Sequence, residues 1–534
     1  MADGRKGLLL IGLLASVASI PAQLRAGAGK PEGWVPIRWD GGPLEVSRRA
    51  KDTALAGRPA QREAIGRWYD PATLDLLRGT PLNCILVTLS AGADPELEER
   101  QHLLVREYAR VARQRGIAVL GIVHPGSSPV KAAIAAAGAG LDGLVLDGDF
   151  SEESKFMAAL ESALREQNSE ALVIPIARHA SSVGMADTTP AIADPPPLAP
   201  LAVAGVRPSA RDLADMGIRA GASAEPWIES NIWMVRFLRF QSGRRPIWID
   251  QQPNPSAAGD YIRCVADAAV AGGRWMVSLD DDLRMRLYQR DAAALATWQR
   301  IASYLRFAED HADWRGFQPY GNVGVLFDAA AQDAEFADEY LNLVARRQVP
   351  YRLIPRSSLR PAALAGFRAV LAPTLAPPTE TERKILRDFA EQGGLLVTGP
   401  AWGNPPKDDP YAEVPTGKGR VAVYREDPPD PGDLARDLLE LLPPEVMGLS
   451  VFNVPSTISY ASTTASGKSV LIQLLNYAGT PSVRVTVRFN GIFKTARLYT
   501  PENPPAELAA RATADGRTEV AIPRLEAWAA LILE

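Results

Sequence analysis

Apolar segments alternate with amphipathic segments between Trp34 and Asp310, and this alternation restricts the fold more than any other feature of the sequence. Strands that alternate with helices are typical of parallel sheets with helical crossovers. Eight such strands fit a (β/α)8 barrel, or TIM barrel. The eight apolar runs are Trp34–Trp39, Cys84–Leu89, Ile117–Val123, Leu141–Leu146, Ala171–Ile176, Ile218–Ala222, Pro246–Ile249 and Trp275–Leu279.

Two further domains follow, so the sequence predicts a signal peptide at 1–28, a barrel at 29–312, a small doubly wound α/β domain at 313–445 and a C-terminal antiparallel β-sandwich at 446–534. The second domain has four apolar strand-like runs and a helix over Thr379–Gln392 that begins with a threonine cap. The last domain contains only strand-like segments, and Asn490–Gly491 is typical of a hairpin turn.

The N-terminus has the layout of a secretory signal peptide. Arg5 and Lys6 precede the apolar run Leu8–Ile20, and small residues follow it. The run is short for a transmembrane helix, although an uncleaved membrane anchor is the alternative. We therefore expect a periplasmic or secreted protein that has no membrane contact after cleavage.

The composition excludes several classes of function. The net charge of −4 and the lack of a long basic run argue against nucleic acid as a partner. The two cysteines, Cys84 and Cys264, lie in apolar surroundings and are expected to be buried free thiols. No histidine lies after His311, and HExxH is absent, so we expect no metal and no cofactor. The GxGxxG string Gly138–Gly143 follows a helix and is interpreted as a helix-ending loop.

Acidic residues and histidines remain at the carboxyl ends of the expected strands, where barrels place their active sites. Asp147 and Asp149 follow the fourth strand and, spaced by two, would share one face of an extended chain. The others are Asp40, His124, His179, Glu225, Asp250 and Asp280. Each acid could instead cap a helix or form a salt bridge. Asp280–Asp282 could hold Ca²⁺ or form a solvated turn.

Trp39 and Trp227 accompany these carboxylates, and a rim of acids and aromatic rings suits a carbohydrate. Asp149 or Asp147 is the expected nucleophile or base. Glu225 is the expected general acid, because Trp227 could shield it from water, and Asp250 is its rival. The expected substrate-binding residues are Trp39, Asp40, His124, His179, Trp227 and Asp280.

The order of domains, with VGVLFD, FRAVLAPT and LRDFAEQGGLLVTGP in the middle one, resembles trimeric-type bacterial β-galactosidases and their relatives. The resemblance implies a catalytic barrel, a class I glutamine-amidotransferase-like domain without its catalytic Cys and His, and a possible homo-oligomer. Those enzymes carry Asn-Glu after strand four and Glu after strand seven, where this chain has Asp147-Gly148-Asp149 and Asp250. In this respect the chain looks closer to α-glycosidase barrels with an aspartate nucleophile.

The expected function is therefore hydrolysis of an oligo- or polysaccharide by paired carboxylates. The alternatives are a catalytically inactive carbohydrate-binding protein and an assembly protein that uses the barrel as a scaffold.

Overall fold

The structure, a computed structural model, describes most of the chain. The described residues are 30–50, 58–150, 152–177, 201–204, 228, 230–242, 245–253, 258–328, 334–373, 377–426, 429–454 and 456–534. The signal-peptide interpretation of residues 1–28 lies outside them.

An eight-stranded parallel sheet forms the first part of the structure, and its strands neighbour each other in chain order. The strands are β1 (Pro36–Arg38), β2 (Cys84–Ser90), β3 (Ala118–Val123), β4 (Gly143–Leu146), β5 (Leu172–Ala177), β6 (Leu201–Ala204), β7 (Ile247–Asp250) and β8 (Arg274–Trp275). The sheet closes on itself because Ile37 bridges Val277 in parallel. The Arg38 N–H donates to the Val277 carbonyl at 2.8 Å. The predicted barrel is confirmed.

Helices surround the barrel, and polar caps set where several of them begin. They are α1 (Gly42–Arg49), α2 (Pro59–Gly66), α3 (Pro95–Gln114), α4 (Pro129–Ala139), α5 (Glu153–Glu166), α6 (Ile232–Ser242), α7 (Ala258–Val270), α8 (Asp281–Tyr288) and α9 (Ala292–Asp310). Asp94 and Asp291 accept hydrogen bonds from the first turns of α3 and α9. Helix α4 ends at Ala139 and is capped by Gly140, whose φ is 60°, so the GxGxxG string ends the helix, as interpreted.

The barrel interior is filled by side chains that alternate along each strand. One buried cluster contains Trp34, Leu86, Ile122, Val145 and Trp248, from five different strands or strand starts. The residues between them point outward to the helices and join the larger core. Because side chains alternate with a period of two, the residue two positions after an inward-facing residue of the same strand also points into the barrel.

The sixth strand is not where the sequence predicted it. The structure forms β6 from Leu201–Ala204, paired in parallel with β5 and β7. The expected strand Ile218–Ala222 lies outside the described residues. The apolar run LAVA directly follows a proline-rich segment and pairs in register with β7. The later apolar run had the stronger strand pattern in the sequence, so the prediction placed the sixth strand there.

The second sheet has six strands, which are β10 (Val323–Phe327), β11 (Tyr351–Pro355), β12 (Ala369–Ala372), β13 (Leu395–Thr398), β14 (Tyr411–Thr416) and β15 (Gly419–Tyr424). They lie in the order β11-β10-β12-β13-β15-β14, and all are parallel except β14. Its helices are α10 (Ala334–Arg346), α11 (Glu380–Glu391), α12 (Pro431–Leu441) and the short α13 (Pro444–Met447). Thr379 and Glu382 form the capping box of α11. The doubly wound α/β prediction is confirmed.

Two antiparallel sheets form the last part, and they share one buried core. The strands are β9 (Gln318–Pro319), β16 (Leu449–Phe452), β17 (Thr457–Thr463), β18 (Val470–Asn476), β19 (Ser482–Asn490), β20 (Ala496–Tyr499), β21 (Ala506–Leu508), β22 (Arg511–Ala512), β23 (Arg517–Leu525) and β24 (Trp528–Leu533). The hairpin expected at Asn490–Gly491 is wrong. Strand β19 pairs with β16 and β23, whereas β20 pairs with β21 and β24, so the chain crosses between sheets there.

Both cysteines are buried free thiols, as predicted. Within the described ranges, no helix is long and apolar enough to cross a membrane.

Candidate active site

The inward-facing positions above the barrel core carry charged and polar side chains. Two residues beyond inward Ile122, Val145 and Trp248, the chain places His124, Asp147 and Asp250. Arg38 occupies the same level at the end of β1, four residues after inward Trp34. The carboxyl ends of four strands therefore converge on one polar layer at the mouth of the barrel.

A single guanidinium joins the two aspartates of this layer. Arg38 Nε and Nη2 donate to Asp250 Oδ1 and Oδ2 at 2.9 and 2.6 Å. Arg38 Nη1 donates to Asp147 Oδ2 at 2.9 Å. The two carboxylates are thus bridged by one guanidinium.

Arg38 is only 7% exposed, so its charge depends on these partners. Burial alone would lower the pKa of Arg38, but attraction from Asp250, then Asp147 and Asp40, raises the pKa well above its ordinary value. The guanidinium thus binds both carboxylates at the mouth of the barrel.

His124 lies beside Asp147 and is 9% exposed. Its Nδ1 is 3.0 Å from the Asp147 backbone carbonyl, so Nδ1 carries the proton and Nε2 is left as an acceptor. Burial, then the positive charge of Arg48, lowers the pKa of His124, although Asp147 and Glu45 oppose the change. The site therefore holds a neutral imidazole at neutral pH.

Helix α1 contributes a second layer of charge next to the first. Glu45 is fully buried, pairs with Arg48 and Arg49, and accepts a hydrogen bond from Thr88 Oγ1 at 3.0 Å. Burial alone would raise the pKa of Glu45, but the bond from Arg48 and the charges of both arginines hold the pKa well below its usual range. Glu45 is thus a fixed anion that positions two cations and cannot serve as a proton donor.

Asp40 lies in this second layer and is 6% exposed. Its Oδ2 is 3.3 Å from Arg49 Nη2, and its Oδ1 is buried without a hydrogen-bond partner. Its backbone carbonyl accepts from the buried side chain of Arg284 at 2.5 Å. An unpartnered buried carboxylate oxygen costs free energy, and a bound hydroxyl group would satisfy it.

Asp149 does not join Asp147 in the barrel mouth. Strand β4 ends at Leu146, and Gly148 adopts a φ of 133°, which only glycine tolerates well. The chain is therefore no longer extended between the two aspartates, so the alternation that predicted a shared face does not apply. Asp149 is exposed, whereas the Asp147 side chain is 15% exposed.

Two predicted substrate-binding residues belong to the scaffold instead. Trp39 points outward, is fully buried against Trp68, and donates from Nε1 to the Tyr108 hydroxyl at 2.6 Å. Asp280 caps helix α8 through Asp282 N and Leu283 N, and its other oxygen accepts from the Tyr261 hydroxyl. Trp39 thus has no exposed face for a sugar, and both carboxylate oxygens of Asp280 already accept hydrogen bonds. Glu225, Trp227 and His179 lie outside the described residues.

No group of three or more His, Cys, Asp or Glu side chains could hold a metal ion in the described part of the chain. The acids at Asp280–Asp282 diverge. Asp280 caps α8, Asp281 pairs with Arg49 at 2.6 Å, and Asp282 lies 3.8 Å from Arg286.

The sequence predicted His124, Asp147, Asp250 and Asp40 as site residues. It did not predict the arginines and Glu45, which form the ion pairs around them. A signal was present: Arg38 is a charged residue within the otherwise apolar segment Trp34–Trp39, four positions after an inward tryptophan. Glu45 and Arg49 gave no comparable signal, because a Glu-Arg pair at helical spacing is usually exposed.

The comparisons with known proteins agree on the fold. No family model matches the chain, and no curated protein matches it. Among solved structures, an alpha-L-fucosidase isoenzyme 2 from Paenibacillus thiaminolyticus is similar over 87% of this chain and 96% of its own, at 11% identity and a TM-score of 0.54. A GH42 beta-galactosidase from G. stearothermophilus is similar over 96% and 100%, at 11% identity and a TM-score of 0.52.

A beta-galactosidase from Rahnella sp. R3 is similar over 94% of this chain and 98% of its own, at 10% identity and a TM-score of 0.52. These likenesses extend over nearly the whole of both chains, which local similarity between barrels alone would not give. Identities this low bear on the fold and leave activity and substrate open. The chain has the glycoside-hydrolase-like fold that these enzymes share.

Proposed function

We propose that this protein is a glycoside hydrolase that acts on an oligo- or polysaccharide at the mouth of its barrel. The observation that carries the proposal is the pair Asp147 and Asp250, presented by β4 and β7 and bridged by buried Arg38. Glycosidic bond cleavage passes through a transition state with positive charge on the sugar ring, and adjacent carboxylates stabilise that charge.

Exposure favours Asp147 over Asp250 as the nucleophile or base. The Asp147 side chain is 15% exposed, against 8% for Asp250. A more accessible carboxylate is better placed to reach a sugar carbon, so Asp147 is our proposed nucleophile or base, with Asp149 as the second candidate. Asp250 is assigned to charge stabilisation and binding.

The general acid has to be protonated before the reaction, which argues against the carboxylates that contact arginine. Asp147, Asp250 and Glu45 all have such a partner. Glu225 therefore stays our proposed acid, and Asp250 is no longer the preferred rival. His124 and Asp40 are proposed to bind substrate hydroxyls, since Nε2 of the neutral imidazole is an acceptor and Asp40 Oδ1 lacks a partner.

A panel of 4-nitrophenyl glycosides tests the proposal on the purified full chain, and it should include α-L-fucoside, β-D-galactoside and β-D-mannoside. We expect turnover of at least one glycoside. Asp147→Asn should then lower kcat by about 10²- to 10⁴-fold, whereas Asp149→Asn should lower it less than about tenfold. Asp388→Asn, on an exposed ion pair of α11, is the matched control.

Chemical rescue separates the two aspartates of the pair. If Asp147 is the nucleophile, Asp147→Ala with sodium azide should form a glycosyl azide, because azide fills the space of the missing carboxylate and attacks the anomeric carbon. Asp250→Ala should form none. Glu225→Gln should slow substrates with poor leaving groups more than those with good ones.

Two outcomes would contradict the proposal. Turnover at the wild-type rate in both Asp147→Asn and Asp250→Asn would remove the pair from the chemistry. Saturable binding of sugars without hydrolysis across the panel and across plant and microbial polysaccharides would favour an inactive carbohydrate-binding protein.

A further inference from the structure

A second cavity, of about 830 Å³, lies far from the barrel mouth. It is lined by the last residues of α6 and α7, which precede β7 and β8, and by Arg352 of β11, Tyr460 of β17 and Trp528 of β24. Residues that precede a barrel strand lie at the face opposite to the mouth. The cavity therefore lies between the barrel, the second sheet and the antiparallel sheet that contains β17 and β24, and it is separate from Asp147 and Asp250.

Four arginines line this cavity: Arg236, Arg239, Arg315 and Arg352. Among the described residues, Glu309 is the only carboxylate that forms an ion pair with one of these arginines. It contacts Arg315 at 2.7 Å and also Arg274 at 2.8 Å. Arg236, Arg239 and Arg352 form no ion pair with a carboxylate among the described residues. The cavity thus concentrates positive charge that the carboxylates in the described part of the chain neutralise only in part.

The hydrogen bonds of these arginines leave donors unused. Arg239 donates to the Gly272 carbonyl, but its Nε is buried without a hydrogen-bond partner. Arg236 donates to the Tyr351 carbonyl, and Arg352 Nε donates to the Gly321 carbonyl at 2.9 Å. Carbonyl partners are neutral and leave the charge uncompensated. A buried donor without a partner is costly unless a ligand accepts from it.

The electrostatic environment of the arginines agrees with this picture. Burial, then repulsion from Arg315, lowers the pKa of Arg239. Burial also lowers the pKa of Arg315 and of Arg352. Lowered values mean that burial and repulsion exceed the attraction from anions, and an added anion would reverse that balance.

Aromatic side chains line the same space. Phe240, in the last turns of α6, lines the cavity and is 54% exposed, so its ring is open to a ligand. Trp314 is partly buried and stacks on His311 with ring centroids 4.1 Å apart. Arginine planes next to exposed rings bind anions that carry a flat or apolar face.

We propose that this cavity binds an anionic ligand whose carboxylate or phosphate group is held by Arg239, Arg352 and Arg236, and whose ring or apolar face packs on Phe240. The site is independent of the proposed hydrolase site. Carboxylate and phosphate share the chemistry that the arginines recognise, and the experiment distinguishes them.

Calorimetric titration of the full chain with D-glucuronate, inorganic phosphate and neutral D-glucose, at constant ionic strength in chloride, tests the proposal. We expect saturable binding of glucuronate or phosphate and none of glucose. The preferred anion identifies the group that the cavity takes. In Arg239→Gln/Arg352→Gln, binding should weaken at least tenfold, whereas Arg387→Gln, on an exposed ion pair of α11, should bind as the wild type does.

A second measurement uses the wild-type protein, so it does not depend on the folding of a variant. Phenylglyoxal modifies accessible arginines, and peptide mass spectrometry should show that the preferred anion protects Arg239 and Arg352 but not Arg387. Equal binding by the double variant, failure of both anions to bind, or unchanged modification at Arg239 and Arg352 would each overturn the proposal. None of these results depends on hydrolase activity.

Discussion

Arg38 is the residue on which the barrel mouth depends most. It is buried, and it separates two carboxylates that would otherwise face each other. Replacing one partner of a buried ion pair is strongly destabilising, because the remaining charge keeps its desolvation penalty. The chemistry proposed for Asp147 therefore relies on a cation that does not itself take part in proton transfer.

Arg38→Met should lower the free energy of unfolding at pH 7 by about 3 to 5 kcal/mol. Urea unfolding monitored by circular dichroism measures the change. Adding Asp250→Asn to Arg38→Met should restore part of the loss, because one of the two carboxylates that lose Arg38 is then neutral. An Arg38→Met protein as stable as the wild type would show that the pair needs no counter-charge.

His124 should make stability depend on pH. Burial lowers its folded pKa below the ordinary value, so the unfolded chain binds a proton more readily than the folded one. The contribution is fully present above about pH 6.5, the ordinary pKa of histidine, and is lost as pH falls through the folded pKa. Urea unfolding should therefore show a smaller loss of stability between pH 7 and pH 5 in His124→Asn than in the wild type. Parallel pH profiles would contradict this assignment.

At the scale of elements, Glu309 ties helix α9 to strand β8. It accepts bidentately from Arg274, with both distances 2.8 Å, and also pairs with Arg315. Burial alone would raise the pKa of Glu309, but the bonds and charges of Arg274 and Arg315 lower the pKa to about 2. One carboxylate therefore fixes two cations where the barrel meets the second cavity.

Glu309→Gln should lower the free energy of unfolding at pH 7 by about 3 to 5 kcal/mol, because two mostly buried arginines lose their anion. The difference from the wild type should be complete above about pH 4.3, the ordinary pKa of a glutamate, and vanish as pH falls toward about 2. Glu161→Gln, on an exposed pair of α5, is the control and should change stability by less than about 0.5 kcal/mol. A pH-independent loss would assign Glu309 to packing.

At the scale of the whole molecule, a buried network joins the barrel to the last sheets. Asp267 of α7 is fully buried and accepts from the Tyr477 hydroxyl at 2.5 Å, from Ser230 Oγ at 2.7 Å, and from Asn231 Nδ2 at 2.7 Å. Asn231 Nδ2 also donates to Gln251 Oε1 at 2.9 Å, one residue beyond Asp250. The barrel mouth and the β-sandwich are thus connected through hydrogen bonds.

We expect the full chain to unfold in one calorimetric transition because of this network. Tyr477→Phe should destabilise that single transition by about 1.5 to 3 kcal/mol, since a buried acid loses a donor. Tyr288→Phe is the control and should change little. Two transitions in the wild type, of which Tyr477→Phe moves only one, would show that the parts unfold independently.

Removal of the signal peptide and formation of a homo-oligomer remain predictions about the whole molecule. Intact mass measurement of secreted protein should give an N-terminus near residue 29. Analytical ultracentrifugation should show a homo-oligomer, in which the middle α/β domain is expected to act in assembly or to shape the barrel mouth. A strict monomer would contradict the assembly role.

Much of the fold could be predicted from the sequence, because local patterns determine it. The apolar runs that became β2, β3, β4 and β7 are bounded by helical segments with caps such as Asp94 and Ser128. Where local signals competed, prediction was wrong: Ile218–Ala222 looked more like a strand than Leu201–Ala204, and Asn490–Gly491 looked like a hairpin although its flanking strands belong to different sheets.

The candidate site, too, could be predicted from the sequence only in part. Sequence position alone places His124, Asp147 and Asp250 at strand ends, and alternation along a strand explains why Trp39 points away from the mouth while Arg38 points into it. Only the closed barrel brings β1, β4 and β7 around one guanidinium, because pairing between distant strands is not encoded in any local window. The cavity of arginines is likewise a product of tertiary structure, since Arg236, Arg239, Arg315 and Arg352 come from segments that meet only when the barrel has packed against the second sheet and the β17/β24 sheet.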